Sequence, residues 1–173
     1  SGKYIATVKM KYTNKGTFTD FTTRYRTYAR VFLPTGSQFI SVRGSLPPPK
    51  GGVPLVAGKA TDISAPGVGT VDYGVENGKQ WFGTFTSIEP GKTGELAWQF
   101  YLAPKVVEQI KNNSYNLLVQ KQSGTIENGL TLDLNFGKNV VSATPGEASG
   151  NFGDAKYFLH TDLRLDREFR VNL

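Results

Sequence analysis

An alternation of apolar and polar residues, broken at intervals by turn-forming residues, constrains this chain more than any other feature. Between Tyr4 and Thr13 the even positions are Tyr, Ala, Val, Met and Tyr, while Lys9 and Lys11 lie at odd positions. Successive side chains of a β-strand point to opposite faces, so a period of two indicates a strand with one buried face. Residues 4–13 are therefore predicted to form a half-buried strand.

Further strands are predicted where the same alternation, or a short apolar run between turns, recurs: 22–32, 38–43, 70–75, 79–88, 93–102, 115–121, 130–136, 140–143 and 158–171. Asn77-Gly78 predicts a tight hairpin turn, since both residues tolerate positive φ. Residues 158–171 are expected to place Leu163, Leu165, Phe169 and Val171 on one face. The one predicted helix is 104–111, with Pro104 at its first position and Val106, Val107 and Ile110 on one side.

The strand pattern predicts an all-β fold, an antiparallel two-sheet Ig-like sandwich with one short helix. The 20 Gly and 9 Pro residues argue against a helical bundle, because both residues destabilise helix interiors. A chain of 173 residues is long enough to bury a core without disulfides, and we expect one domain over 3–173. Ser1-Gly2 resembles the remnant of a cleaved expression tag, and 44–70 is predicted to be a long Pro/Gly-rich loop or excursion.

Composition and motif spacing argue against most catalytic and metal sites. The chain has no Cys and a single His, His160, so the usual zinc sites and thiol chemistry lack their residues. A triad of His160 with Asp154 or Asp162 lacks the Gly-x-Ser-x-Gly nucleophile motif. Asp154, Asp162 and Asp166 lack the spacing of an EF-hand, and Gly67-Val68-Gly69 lacks the remainder of a phosphate loop. We expect no catalytic residue, no metal and no cofactor.

Two alternatives rest on residue types rather than on motifs. A glycosidase needs two carboxylates at a fixed separation, and the chain offers six candidates, Glu89, Glu95, Glu108, Glu127, Asp133 and Glu147. A nucleic-acid binder needs cations interleaved with rings, and Arg24, Arg26 and Arg30 alternate with Tyr25 and Tyr28. The other cations are dispersed along a chain of net charge +6, which favours a solvated sheet face or attraction to an anionic wall polymer or lipid.

Five residues are the candidates for ligand binding. Trp81 and Trp98 belong to an aromatic-rich region that is typical either of a sugar-binding platform or of a sandwich core, with Phe82 and Trp98 as its central rings. Arg24, Tyr25 and Arg26 begin the second predicted strand, beside turns that carry recognition more often than cores do. We look for binding first at the strand with Arg24, Tyr25 and Arg26 and at residues 44–70.

The order of several segments resembles a known family. These segments are Tyr28 to Ser37 (YARVFLPTGS), Trp81-Phe82-Gly83, Ile88 to Gly91 (IEPG), Tyr101 to Pro104 (YLAP) and Tyr115 to Thr125 (YNLLVQKQSGT). Together they resemble the C-terminal β-rich extracytoplasmic region of a family of large membrane-anchored bacterial envelope proteins, domain of unknown function 4012. Ser123 departs from the proline expected there, and 44–70 has no counterpart. The resemblance implies a membrane-tethered parent protein at the cell surface and transfers no catalytic residue.

These observations together predict a non-catalytic extracytoplasmic module of a bacterial surface protein, acting in adhesion, assembly or spacing. The alternative is a carbohydrate or cell-wall-polymer binding module, and a glycosidase or a nucleic-acid binder is less favoured. The expected partner is a protein or a cell-wall polymer at the cell surface. No nucleic acid is expected, and contact with the membrane is expected only through an anchor of the parent protein.

Overall fold

The computed structural model describes residues 3–46, 71–147 and 153–173. The described chain is mostly β with one short helix, and all of its strand pairs are antiparallel. Its elements, in chain order, are β1 (Ile5–Thr13), β2 (Tyr25–Pro34), β3 (Gln38–Arg43), β4 (Asp72–Glu76), β5 (Lys79–Ile88), β6 (Thr93–Tyr101), α1 (Pro104–Lys111), β7 (Ser114–Val119), β8 (Gly129–Asn135), β9 (Ser142–Thr144), β10 (Lys156–Asp162) and β11 (Arg167–Asn172). Ser1-Gly2 and all of the predicted 44–70 loop beyond Leu46 lie outside the described residues.

The chain divides into two compact units, Ser1–Pro104 and Lys105–Leu173, and the predicted single domain over 3–173 stays a prediction. The first unit contains two three-stranded sheets, with strand orders β1-β6-β3 and β2-β5-β4. Asn77-Gly78 forms the hairpin between β4 and β5, as predicted. Both residues have positive φ, 50° and 71°, which matches the twist that a two-residue hairpin requires.

The two sheets of the first unit contribute to one hydrophobic core. Its buried residues are Ala29, Val31, Val42, Val71, Phe82, Leu96, Trp98 and Phe100. The Phe82 ring of β5 stacks on Phe100 of β6 at a centroid distance of 6.2 Å, and lies 5.5 Å from the ring of Phe39. Phe82 and Trp98 are central rings of this core, which confirms the sequence expectation. Because alternate residues of each strand enter the core, the other set forms an outer face on each sheet.

The second unit contains helix α1 and two smaller sheets, β7-β11-β9 and β10-β8. The helix has the predicted bounds and buries Ile110. The Lys138 ammonium donates to the carbonyl oxygens of Ile110 and Lys111 at 3.1 and 3.3 Å, and to Asn113 Oδ1 at 2.9 Å. A cation at this position satisfies carbonyls that have no partner within the helix and interacts favourably with the helix dipole.

The single strand predicted over 158–171 is wrong, because two strands in different sheets occupy this range. β10 pairs with β8, whereas β11 pairs with β7 and β9. Between them, Asp162 Oδ1 accepts a hydrogen bond from Arg164 N, and Arg167 donates to the Asp162 carbonyl oxygen and side chain. These local bonds stabilise a turn instead of a continuous ladder. Leu165, predicted to be on the buried face, is 70% exposed in that turn.

Candidate functional site

The outer face of the β2-β5-β4 sheet carries four aromatic side chains, from two adjacent strands. Its residues are Tyr28, Arg30 and Phe32 of β2, Trp81, Gly83 and Phe85 of β5, and Asp72, Gly74 and Glu76 of β4; we call this the aromatic face. The face forms because these positions alternate with core residues along each strand. Strand register therefore places rings, two carboxylates and a guanidinium on one surface.

Two glycines of the aromatic face allow the side chains of Trp81 and Tyr28 to lie flat on the sheet. A Cβ at Gly74 would be 2.9 Å from Cζ2 of the Trp81 indole, and a Cβ at Gly83 would be 2.3 Å from the Tyr28 hydroxyl oxygen. Both distances are shorter than van der Waals contact, so side chains at these positions would displace the rings. Glycine in a strand interior often marks such a close approach.

Arg30 connects the rings with a carboxylate. Its guanidinium carbon lies 5.1 Å from the Phe32 ring centroid and 5.4 Å from that of Trp81, within the range of cation–π attraction. Its Nη1 donates to Glu76 Oε2 at 3.0 Å. The positive charge of Arg30 is thus already matched by a carboxylate and two rings of the same face.

Tyr28 and Asp72 form the second polar pair of the aromatic face. The Tyr28 hydroxyl donates to Asp72 Oδ2 at 2.7 Å, and the Tyr28 ring packs at 4.8 Å from that of Phe85. Burial, and then the hydrogen bond to the Asp72 carboxylate, raise the pKa of Tyr28 well above its usual value of 10.0. Tyr28 is therefore a neutral donor at pH 7, and its hydroxyl is used internally.

The two candidate tryptophans are both enclosed. Trp98 is fully buried in the core between the two sheets. Trp81 belongs to the aromatic face but is only 4% exposed, because its indole lies over Gly74 and beside Arg30. Neither ring presents a stacking surface for a sugar, and both contribute to packing.

The candidates Arg24, Tyr25 and Arg26 are exposed, but they do not share one surface. Tyr25 is 48% exposed, and its ring lies 6.1 Å from that of Tyr12 on β1. Arg24 forms an ion pair with Glu89, and its guanidinium lies 5.6 Å from the Phe18 ring centroid. Alternation along β2 directs Arg26 toward the aromatic face and Tyr25 toward the opposite side.

The outer face of the β1-β6-β3 sheet brings together cations that are dispersed in the sequence. Lys9 of β1 and Arg43 of β3 are both paired with Ala97 of β6, and Lys11 is paired with Glu95. We call the surface formed by Lys9, Lys11, Arg43, Glu95 and Lys3 the basic face. The sequence analysis missed it because Arg43 is more than thirty residues from Lys9, and only the common partner strand β6 makes them neighbours. The alternation in residues 4–13 indicates that Lys9 and Lys11 share an outer face, but no local pattern includes Arg43.

A β-bulge determines which β3 side chains join the basic face. The register shifts between Phe39 and Ser41, so that Phe39 pairs with Phe100 and Ser41 with Gln99. Ser41 Oγ donates to Gln99 Oε1 at 3.1 Å, which places both side chains on the outer face. A bulge inserts one unpaired residue, and here it directs Ser41 and Arg43 outward while Phe39 and Val42 stay in the core.

The acidic candidates lie on separate elements. Glu89 pairs with Arg24, Glu127 pairs with Arg164, Glu108 is on α1, Asp133 is on β8, and Glu147 is buried after β9 with Oε1 accepting from Phe158 N. The pKa of Asp162 is lowered by hydrogen bonds from Arg164 N and the Arg167 side chain, which keeps this carboxylate ionised. His160 Nδ1 lies 2.9 Å from Thr131 Oγ1 across the β8-β10 pair. Within the described ranges, no three His, Asp or Glu side chains form a group suited to a metal ion.

Comparison with known proteins gave no match to a family profile, to a curated protein or to a solved structure. Over the residues that the structure describes, none of the helices has the length and apolar character needed to cross a bilayer.

Proposed function

We propose that this chain is a non-catalytic extracytoplasmic module of a bacterial surface protein, acting in adhesion, assembly or spacing. One observation carries the proposal: the reactive groups of the aromatic face are matched to one another. Arg30 is bonded to Glu76, and Tyr28 is bonded to Asp72. An active site keeps a polar group open to substrate, whereas here the Arg30 guanidinium lies over the Phe32 and Trp81 rings and is bonded to Glu76, an arrangement that suits a scaffold.

The fold that we propose for this module is an Ig-like sandwich. Two antiparallel three-stranded sheets with a common core in the first unit support it, since sandwiches pack two such sheets around one apolar layer. The ordered segments from Tyr28 to Thr125 that resemble the envelope-protein family support the extracytoplasmic location. The proposed partner is a protein or wall polymer at the cell surface, and the parent protein supplies any membrane anchor.

Labelling of intact cells tests the proposed location. A membrane-impermeant amine reagent is applied to cells that express the parent protein, and modification of the exposed lysines Lys105, Lys111 and Lys156 is read by mass spectrometry. We expect these lysines to be modified on intact cells to the same extent as after lysis. Modification only after lysis would place the chain inside the cell and overturn the proposal.

The second candidate is a carbohydrate or cell-wall-polymer binding module. Phe32 favours it, because this ring is 42% exposed on the aromatic face beside Arg30. A glycan and wall-polymer array at low and high salt tests it, with Phe32→Ala compared with Phe158→Ala, which removes a similarly exposed ring from β10. Salt-resistant binding that only Phe32→Ala abolishes would favour carbohydrate stacking. Equal binding by both variants would exclude the aromatic face.

A further inference from the structure

The basic face brings four cations that form no ion pair with any described residue onto one surface of a three-stranded sheet. Five ion pairs occur among the described residues, and none of them includes Lys3, Lys9, Lys11 or Arg43. Glu95 is the one acidic residue on the same face, opposite Lys11 in the strand register. Four cations and one carboxylate leave a local excess of three positive charges on a single three-stranded sheet.

The register fixes the spacing of these charges. Lys9 and Lys11 are two residues apart on β1, which is about 6.6 Å along a strand. Lys9 and Arg43 lie on opposite sides of Ala97, two strand spacings or about 10 Å apart. Ala97 is buried and small, so the surface between the two cations is flat. Such a surface suits an extended chain that carries regularly spaced negative charges.

The remaining side chains of the basic face narrow the chemistry of this partner. Hydroxyl and amide groups share this face with the cations. The Thr13 and Thr93 hydroxyl oxygens lie 3.1 Å apart, Ser41 Oγ donates to Gln99 Oε1 at 3.1 Å, and Thr7 is opposite Gln99 in the register. Single-stranded nucleic acid binds through stacking rings, but Tyr101 is half-buried and the Lys3 ammonium lies 4.7 Å from its ring centroid. A lipid surface binds apolar groups that insert beside cations, and the large exposed apolar side chain of β1 is Ile5 alone.

We propose that the basic face binds a phosphodiester wall polymer of the poly(glycerol phosphate) type. The phosphates contact Lys9, Lys11 and Arg43, and the polyol hydroxyls donate to the remaining lone pairs of the Thr and Ser hydroxyl oxygens and accept from the Gln99 amide nitrogen. The inference deepens the proposed function and rests on its extracytoplasmic location, because the polymer is found outside the cell membrane. It names a binding surface that is separate from the aromatic face.

Two triple variants with equal charge test the proposal. The first is Lys9→Gln, Lys11→Gln and Arg43→Gln on the basic face; the second is Lys105→Gln, Lys111→Gln and Lys156→Gln, three exposed lysines of the second unit. Each removes three positive charges from a net charge of +6 and leaves +3. Binding of the purified 173-residue chain to soluble poly(glycerol phosphate) is measured by calorimetry at several salt concentrations, and circular dichroism confirms folding.

We expect the basic-face variant to bind at least about tenfold more weakly than the wild type at low salt, with a shallower dependence of affinity on salt, because fewer counterions are released from the polymer. The second-unit variant should remain within about twofold of the wild type, since its cations lie outside the contact. Equal losses in the two variants would overturn the proposal by showing that net charge alone drives binding.

The choice of polymer is tested by two further probes. Oligo(dT) and vesicles of phosphatidylcholine with about one third phosphatidylglycerol are titrated under the same conditions, and tighter binding of either than of the polymer would overturn the proposal. Absence of polymer binding by the wild type would overturn it as well. That result would leave the proposed surface location standing, because lysine labelling on intact cells measures location without any ligand.

Discussion

The aromatic face and the basic face are outer surfaces of two three-stranded sheets, but they differ in whether their polar and charged side chains are bonded to a carboxylate. On the aromatic face Arg30 and Tyr28 are each bonded to a carboxylate of β4. On the basic face Lys9, Lys11 and Arg43 take part in none of the ion pairs found among the described residues. A charge that is paired internally is matched within the fold, whereas an unpaired charge remains available to a partner. The comparison therefore assigns stability to one face and binding to the other.

Small residues produce this difference. Gly74 and Gly83 let the Trp81 and Tyr28 side chains lie across the sheet, where they reach groups on neighbouring strands. On the basic face Ala97 occupies the corresponding central strand, and the long cationic side chains on either side of it extend into solvent. Rings that lie flat bury apolar area, and the Tyr28–Asp72 hydrogen bond beside them is partly withdrawn from water.

The largest loss of stability, and so the strongest test of the difference between the two faces, is expected from Trp81→Ala. The indole is 4% exposed and packs on Gly74, so its removal leaves a cavity and should lower the free energy of unfolding by about 3 to 5 kcal/mol. Urea denaturation followed by tyrosine fluorescence or circular dichroism measures this change. A loss below about 1 kcal/mol would mean that the aromatic face is not a packed surface, and the comparison would fail.

The second largest effect is expected at Gly44, which connects the two sheets. Its φ is 84°, its carbonyl oxygen accepts from Thr86 Oγ1 of β5, and a Cβ there would lie 2.0 Å from the backbone oxygen of Glu95 on β6. Gly44→Ala should cost about 3 kcal/mol, the sum of a strained backbone and a steric clash.

Gly78→Ala is the matched control for Gly44→Ala. Gly78 also has positive φ, 71°, but a Cβ at this position meets no atom within 4 Å. Its substitution should therefore cost about 1 kcal/mol, from backbone strain alone. Equal costs of the two substitutions in urea denaturation would show that the close approach to β6 does not contribute.

A smaller effect is expected from Tyr28→Phe, which removes the hydrogen bond to Asp72. The pair is partly exposed, so the loss at neutral pH should be about 1 kcal/mol, below the usual range for a bond to a carboxylate. The pKa of Tyr28 is raised in the folded state, so its contribution is complete below the unfolded value of about 10 and is lost as pH rises through the folded value.

Unfolding measured at about pH 8 and about pH 11 tests the sign of this dependence. The difference in stability between the wild type and Tyr28→Phe should be smaller at the higher pH, because the wild type then carries the cost of keeping Tyr28 protonated. A difference that is constant or grows with pH would contradict the bond between Tyr28 and Asp72. Tyr12 and Tyr157 titrate in both proteins and cancel in the comparison.

The sequence predicted the elements well where a local pattern determines them. The bounds of β3, β5 and α1 agree with prediction, since turns, alternation and a Pro-started helix all act over a few residues. The prediction of one strand over 158–171 was wrong for two reasons. The turn depends on bonds between Asp162 and two arginines, and β10 and β11 pair with different strands. Pairing partners are not encoded in a local pattern.

The candidate site was harder to predict for the same reason. The sequence indicates that Trp81 and Trp98 belong either to a sugar-binding platform or to the core. Trp81 is enclosed because the strand register places it beside Gly74, which has no side chain to keep the indole away. The cations of the basic face appeared dispersed, since residues 9 and 43 meet only through their common partner Ala97. Arg24 and Arg26 are close in sequence, yet alternation separates Arg26 from Tyr25.

The smallest effect on stability is expected from the Gln triple variant of Lys9, Lys11 and Arg43. These exposed side chains form none of the described ion pairs, so their removal should change the free energy of unfolding by less than about 0.5 kcal/mol. Partial relief of repulsion between Lys9 and Arg43 across Ala97 would shift the change toward stabilisation, and this shift should disappear at high salt.

Urea denaturation of this variant at low and high salt completes the comparison with Trp81→Ala. A loss above about 1 kcal/mol would mean that the basic face, like the aromatic face, supports the fold, and weaker polymer binding by the variant would then have a structural cause. A negligible change separates the two faces: Trp81 stabilises the fold, whereas Lys9, Lys11 and Arg43 do not. Weaker polymer binding by the triple variant would then reflect lost contacts with the polymer and not a damaged fold.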